Sequence, residues 1–230
     1  MKGFTIFIIL VAIVIVGFLV MRKPSEMPVT ETENTTGDTN LSNISTTDTS
    51  VEGTKEFDTT ASSAKWTGSK TLIKDYTDVG TIDLKSGNAV FSKGVLTGGT
   101  VVFDMNSIAT TSTGRGNEAD ALSGQAKHMK SDDFFDTAKY PEAKFVITSV
   151  SHEAGDTYML TGDLTIKGST HPTTFPVEVV TTNGKVTIAG TATIDRTVWD
   201  IKYGSGKFFP DLGDKVIGDE FTLEFKAVTK

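Results

Sequence analysis

The segment TYMLTGDLTI, residues 157–166, decides the fold. Tyr158, Leu160, Gly162, Leu164 and Ile166 fall on one side of it, and Thr157, Met159, Thr161, Asp163 and Thr165 on the other. A period of two held over such a length marks a β-strand with one dry face and one wet face. Working outward, Ala154-Gly155-Asp156 turns the chain, and before it Phe145 and Ile147 share a face. On the other side Gly168 begins a turn, after which Phe175, Val177 and Val179 alternate with Pro176 and Glu178. Asn183-Gly184 is the dipeptide of a type I′ hairpin turn. Val186, Ile188, Gly190, Ala192 and Ile194 then hold one face, and Phe221, Leu223, Phe225 and Ala227 hold one face of the closing strand.

The preceding region is patterned the same way, less regularly. Trp66 to Lys74 opens it, and Ile82 and Leu84 alternate with polar neighbours. Ser86-Gly87 reads as a turn and Ala89 to Phe91 as the returning strand; Val101, Phe103 and Met105 form the next, and Thr110 to Asp120 a loop. About eight strands joined by short turns predict an all-β fold, a closed antiparallel barrel or a sandwich. Gly190 and Ala192 favour a barrel with internal space, because small residues on a dry face leave room beside Phe and Leu. Close packing of small against large residues is the alternative, and the pattern alone does not choose.

Between the two regions lies HMKSDDFFDTAKYPEAKF, His128 to Phe145. Ser131 suits a helix N-cap, and Asp132 and Asp133 suit the positive end of a helix. Tyr140-Pro141 ends any helix, since the residue before proline is pushed toward extended backbone. This predicts a short helical element whose Phe134 and Phe135 lie on the barrel, as a lid or as a connection.

Composition sets outer limits. A net charge of -7 over 230 residues argues against a nucleic-acid partner. The absence of cysteine removes disulfides, thiol catalysis and Cys-ligated zinc. Phe4 to Met21 is an almost unbroken apolar run, about 27 Å long as a helix, enough to cross a bilayer core. No small-x-small cleavage site follows it, so residues 1–23 are expected to be an uncleaved transmembrane anchor rather than a signal sequence. Lys2 on one flank and Arg22-Lys23 on the other leave its orientation open. Residues 24–64, rich in Thr, Ser, Asn, Asp and Glu, are expected to be a disordered linker, and residues 65–230 the barrel domain. An anchor followed by a hydrated stalk suggests an extracytoplasmic domain at the cell envelope.

Chemistry-bearing residues are sparse. None of His128, His152 and His171 has metal-ligand spacing, and no G-x-S-x-G elbow occurs. Asp211, Asp214, Asp219 and Glu220 cluster around glycines without the ligand order of a calcium loop. His128 lies within reach of Asp132 and Asp133, which leaves a hydrolase or metal-dependent enzyme as the rival to a binding barrel.

Four segments carry a more specific signal: HMKSDDFFDTAKYPEAKF at 128–145, GDLTIKGST at 162–170, IDRTVWDI at 194–201 and IGDEFTLEF at 217–225. In this order and at this spacing they resemble the YceI-like family of lipocalin-like, polyisoprenoid-binding proteins. The resemblance covers residues 65–228 or so. It implies an extended antiparallel barrel with an apolar lumen and a helical element against it, binding an isoprenoid chain, with no established enzymatic activity. Three positions depart from the family pattern. Gln125-Ala126 stand where many members have Arg-Asp, Asp75 to Val79 lack a histidine found in some, and Asp200 replaces a common Gly.

The reading is therefore a membrane-tethered, lipocalin-like barrel that takes an isoprenoid lipid or quinone into its lumen, with no catalytic residues, metal or cofactor. The lumen is expected to be lined by Phe103, Phe145, Ile147, Leu160, Leu164, Val186, Ile188, Ala192, Phe221, Leu223 and Phe225. Arg196 is expected to be structural, bonded to backbone carbonyls or to Asp195 or Asp200. The third possibility is a surface domain with a filled core.

Overall fold

The computed structural model describes residues 51–230. The anchor expected over 1–23, and the linker as far as residue 50, lie outside the described residues. Among the described residues no helix is long and apolar enough to cross a membrane.

Among the described residues nine strands and one α-helix follow one another. They are β1 (Gly53–Glu56), β2 (Ser63–Ser69), β3 (Thr77–Ser92), β4 (Val95–Thr113), α1 (Ala119–Lys130), β5 (Glu142–Ala154), β6 (Thr157–Ile166), β7 (Ser169–Thr182), β8 (Lys185–Asp195) and β9 (Glu220–Val228). Every strand from β2 to β9 pairs antiparallel with its successor, and β9 pairs with β2, so eight strands close into a barrel with no free edge. β1 pairs with β3 alongside the stretch that β2 leaves uncovered. It is the first half of an interrupted strand. The break is Asp58–Ser62, where the Asp58 carboxylate accepts from the Thr60 and Ala61 amides.

The alternation read from sequence becomes the inside of the barrel. Registers of Ala192 with Leu223, Ile194 with Phe221, Val101 with Phe145 and Phe145 with Leu164 set dry faces side by side. Each buried Leu, Ile or Phe adds roughly 1.5–3 kcal/mol of transfer free energy, so the inner face dominates the folding balance.

Several expectations are corrected. Ser86-Gly87 is not a turn: β3 runs through it with a bulge between Leu84 and Ser86, which keeps Leu84, Ala89 and Phe91 all facing inward. The hairpin turn is at Lys93-Gly94, both at positive φ. The loop expected over Thr110–Asp120 begins only after β4 ends at Thr113. Residues 51–64, assigned above to the linker, hold buried Val51 and Phe57 as well as β1, so the domain begins before residue 65. The helix lies one step earlier than expected. It ends where it was thought to begin, with Ser131 as its C-cap and the Ser131 hydroxyl donating to the His128 carbonyl. Beyond it, Ser131–Lys139 is a chain of turns, in which the Phe134 and Asp136 amides both return to the Ser131 carbonyl.

Candidate functional site

One end of the barrel is crowded and the other is hollow. Near the hairpin of β7 and β8, Val186 is 1% exposed and its amide donates to the buried Thr229 hydroxyl. Toward the opposite end the inner faces separate around a cavity of about 280 Å³. Its depth is apolar: Trp66 of β2, Ile82 of β3, Phe103, Met105 and Ile108 of β4, Ala143 of β5, Leu164 and Ile166 of β6, Ile194 of β8, and Phe221 and Leu223 of β9. Met129, the one buried residue of α1, covers it together with Phe134 and Phe135 from the turns that follow. Phe135 meets Phe221 edge-on, with ring centroids 6.3 Å apart. Of the two roles left open for residues 128–145, lid or connection, the structure shows a cover on the barrel, built from turns more than from helix.

A second, smaller space of about 60 Å³ lies deeper, between Phe145, Ile147, Leu160, Phe175, Ile188, Ala192 and Phe225. Phe103, Leu164, Ile194 and Leu223 line both spaces and form the waist between them. Of the residues expected in the lumen, Phe103, Leu164, Phe221 and Leu223 border the main cavity. Phe145, Ile147, Leu160, Ile188, Ala192 and Phe225 border the smaller space and not the main cavity. Val186 borders neither, because the barrel is closed at its level.

Gly190 does not supply internal space. A Cβ there would stand 2.6 Å from the Pro176 carbonyl and 3.0 Å from Val177 Cγ1, so neighbours already fill the position. Gly68 does supply it: it borders the main cavity, and a Cβ there would meet nothing within 4 Å. Gly68, Trp66, Ile82 and Met129 are not among the residues expected to line the lumen. The Ala64, Trp66, Gly68 alternation is the signal that marks the first two.

Around the main cavity polar groups gather at the mouth, while Asn88 is the polar side chain beside the deeper space. Lys70, Tyr76 and Asp78 come from the β2–β3 side, Arg115, Gln125 and His128 from the β4–α1 side, and Arg196, Tyr203, Lys215 and Glu220 from the β8–β9 side. Gln125 accepts a hydrogen bond from Arg115. Gln125 and the Tyr76–Asp78 region, two of the departures from the family pattern, are therefore rim positions.

Arg196 is 4% exposed and behaves as expected toward the backbone. Its Nε donates to the Gly218 carbonyl at 3.0 Å, Nη1 to Ile201 at 2.7 Å and Nη2 to Ile217 at 3.2 Å. The partner carboxylate is Asp219 at 3.6 Å, not Asp195 or Asp200. Burial pushes the guanidinium below its ordinary pKa, with Asp219 and Asp195 opposing that shift, and it stays charged. Asp195 instead caps the 3₁₀ turn Arg196–Trp199, accepting from the Thr197 amide at 2.9 Å and the Thr197 hydroxyl at 2.6 Å.

His128 Nε2 lies 3.1 Å from Asp133 Oδ2, and its ring is edge-on to Phe134 and Tyr203. The structure thus pairs His128 with Asp133. Asp132 gives its backbone carbonyl to Lys167. Among the described residues no group of three His, Asp or Glu side chains is placed to hold a metal ion.

A UPF0312 protein of Photorhabdus laumondii is 42% identical over 102 residues, 44% of this chain and 52% of its own length. Protein YceI of Escherichia coli is 48% identical over 54 residues, 24% of this chain and 28% of its own. The chain thus spans between about a quarter and half the length of these curated relatives. Among solved structures, BcnA of Burkholderia cenocepacia superposes with a TM-score of 0.58 at 22% identity, over 76% of this chain and 99% of its own. A polyisoprenoid binding domain from Saccharophagus degradans, implicated in plant cell wall breakdown, gives 0.56 at 16% identity, over 78% and 99%. Both likenesses speak to the fold. The profile of the YceI-like domain matches residues 55–229, and the chain belongs to that family.

Proposed function

We propose that the barrel binds the apolar chain of an isoprenoid lipid or isoprenoid quinone, and serves as its carrier or sequestering protein rather than as an enzyme. The observation that carries this reading is the division of the cavity: apolar walls in depth, with charged groups confined to the mouth. An apolar tail in the depth loses contact with water at about 0.8 kcal/mol per CH₂. A polar head group meets Lys70, Arg115 and Lys215 at the rim. The solved polyisoprenoid binding domain of the same fold supports the choice of ligand.

The test is thermal unfolding with and without a prenyl quinone. A ligand that binds only the folded state raises the Tm with its occupancy. Gly68→Leu places a side chain in the open part of the cavity. It is expected to leave the fold intact, because the position has room and a strand gains from losing glycine. The ligand-dependent rise should shrink or vanish. No rise in wild type, or an undiminished rise in Gly68→Leu, defeats the reading. His128→Ala separates it from the hydrolase alternative: a carrier keeps most of its ligand-dependent shift, whereas an enzyme built on the His128–Asp133 pair loses turnover of its ester or amide substrate.

We further propose that the apolar run Phe4–Met21 tethers the barrel to the outer side of a cell membrane. Full-length protein should then fractionate with membranes and yield its domain to protease added to intact cells after the outer envelope is opened. Recovery in the soluble cytosolic fraction would refute this.

A further inference from the structure

Among the described residues seven large apolar side chains are exposed: Leu72, Val95, Val180, Val198, Tyr203, Phe208 and Phe209. Five of them sit in two loops, residues 70–76 between β2 and β3 and residues 196–219 between β8 and β9. The three aromatic ones fall within 203–209. These loops frame the mouth of the cavity, since Lys70, Tyr203 and Lys215 line it. They are also fastened to each other. Lys70 and Ile217 form a β-bridge, the Gly218 amide donates to the Ser69 carbonyl at 2.7 Å, and Lys70 Nζ donates to the Asp214 carbonyl at 3.2 Å. The Phe208 and Phe209 amides both donate hydrogen bonds to the carbonyl of the fully buried Ser205, and both rings are exposed.

Exposed apolar clusters on a polar surface mark contact sites, and aromatic tips among lysines suit the boundary between water and acyl chains. The charge on this face differs from that of the whole chain. Residues 70–76 and 196–219 carry six basic and five acidic side chains, in a protein of net charge -7. We propose that this face docks on an anionic lipid bilayer, with Phe208, Phe209, Tyr203 and Leu72 entering its interface, so that the mouth opens onto the membrane. The proposal rests on the lipid-binding reading of the lumen, for which a bilayer is the source of ligand. A bilayer extends the apolar path of the cavity outward, which a protein seated on the rim would not.

The chain has no cysteine, so Phe209→Cys and Lys185→Cys each give a single labelling site in the full-length protein. Lys185 follows the β7–β8 hairpin turn at the far end of the barrel. Each variant is labelled with a polarity-sensitive fluorophore and mixed with phosphatidylcholine–phosphatidylglycerol vesicles containing nitroxide lipid. The label at 209 should shift to the blue and be quenched by the nitroxide, while that at 185 stays water-exposed. The proposal is overturned if both labels stay wet, if both are quenched alike, or if the 209 label shifts without vesicles as protein concentration rises, which would make a second copy the occupant. Thermal unfolding with a prenyl quinone runs in parallel. A ligand-dependent Tm shift with a wet 209 label ends the docking proposal and spares the lumen; loss of both ends both.

Discussion

Arg196 shows how one side chain can organise a region that lacks regular structure. The connection from β8 to β9 contains no strand and pairs only through the Lys70–Ile217 bridge, yet three of its carbonyls, at Ile201, Ile217 and Gly218, turn inward to one guanidinium. A planar fork with several fixed donors satisfies them together; an ammonium on a flexible stem does not. Arg196→Lys keeps the charge but leaves carbonyls unpaired, at about 1–3 kcal/mol each. For a domain of this size the Tm should fall by several degrees. An unchanged Tm with lost ligand binding would instead make Arg196 part of the rim's binding surface. Its structural role could be read from sequence, because an arginine after a strongly alternating strand matched the family motif. Its partner carboxylate could not, because Asp219 reaches it only through the closure of β9 on β8, 23 positions away in sequence but adjacent in the barrel. Gly190 and Ala192 teach the complementary lesson. Both lie on the dry face, but whether a small residue leaves a hole depends on what the neighbouring strand sends across, here Phe225 and Val177 beside Gly190.

At the scale of elements, strands were legible and the helix was not. Alternation reports each strand directly, since in-out geometry is intrinsic to its backbone. It failed where a bulge adds a residue, as at Leu84–Ser86, because a broken alternation imitates a turn. α1 has no side-chain N-cap and buries only Met129, so it shows neither a start signal nor an apolar stripe. Ser131-Asp132-Asp133 imitates the cap that α1 lacks. β1 hid in a polar stretch, where only Val51 and Phe57 are buried. The β8–β9 connection has a cap of its own in Asp195, and that cap predicts a pH dependence. Burial acts to raise the Asp195 pKa, but hydrogen bonds from Thr197 and Lys207 outweigh it and hold the value below the ordinary 3.8. The unfolded chain then binds the proton more readily than the folded one. The stabilising contribution is complete above 3.8 and is lost as the pH falls through the folded value. Asp195→Asn should therefore be less stable than wild type near neutrality, and the gap in urea midpoint should close as the pH drops below the ordinary carboxylate range. A gap that persists unchanged in acid would show that the cap contributes through shape rather than charge.

At the scale of the whole molecule, the existence of a barrel with an apolar inside was legible, and the amount of room inside was not. Inner-face residues are set by pairing order, whereas free volume is the small difference between the space enclosed by eight strands and the side chains filling it. That difference sets the length of chain the lumen can take. An enclosed space of roughly 150 Å³ takes one benzene ring, so the main cavity accommodates about two rings' worth of carbon, on the order of two to three isoprene units. The inner space of about 60 Å³ adds less than one more, and it is reached past Phe103, Leu164, Ile194 and Leu223. The Tm rise produced by prenyl alcohols of increasing length should climb while carbon enters the main cavity, then flatten once further units must displace the waist. Leu223→Ala widens the waist. It costs about 2–5 kcal/mol of stability as a large-to-small change in a core, but the flattening should move to longer chains. Ala192→Phe acts from the other side, putting a ring where about 60 Å³ is free. It should cost about 1–3 kcal/mol by overpacking and leave the response to the shortest prenyl alcohols unaltered, because those occupy only the outer space. A rise that continues undiminished to the longest chains in wild type would show that the waist opens freely. Loss of the short-chain response in Ala192→Phe would show that the two spaces act as one, and either result would replace a divided lumen with a continuous one.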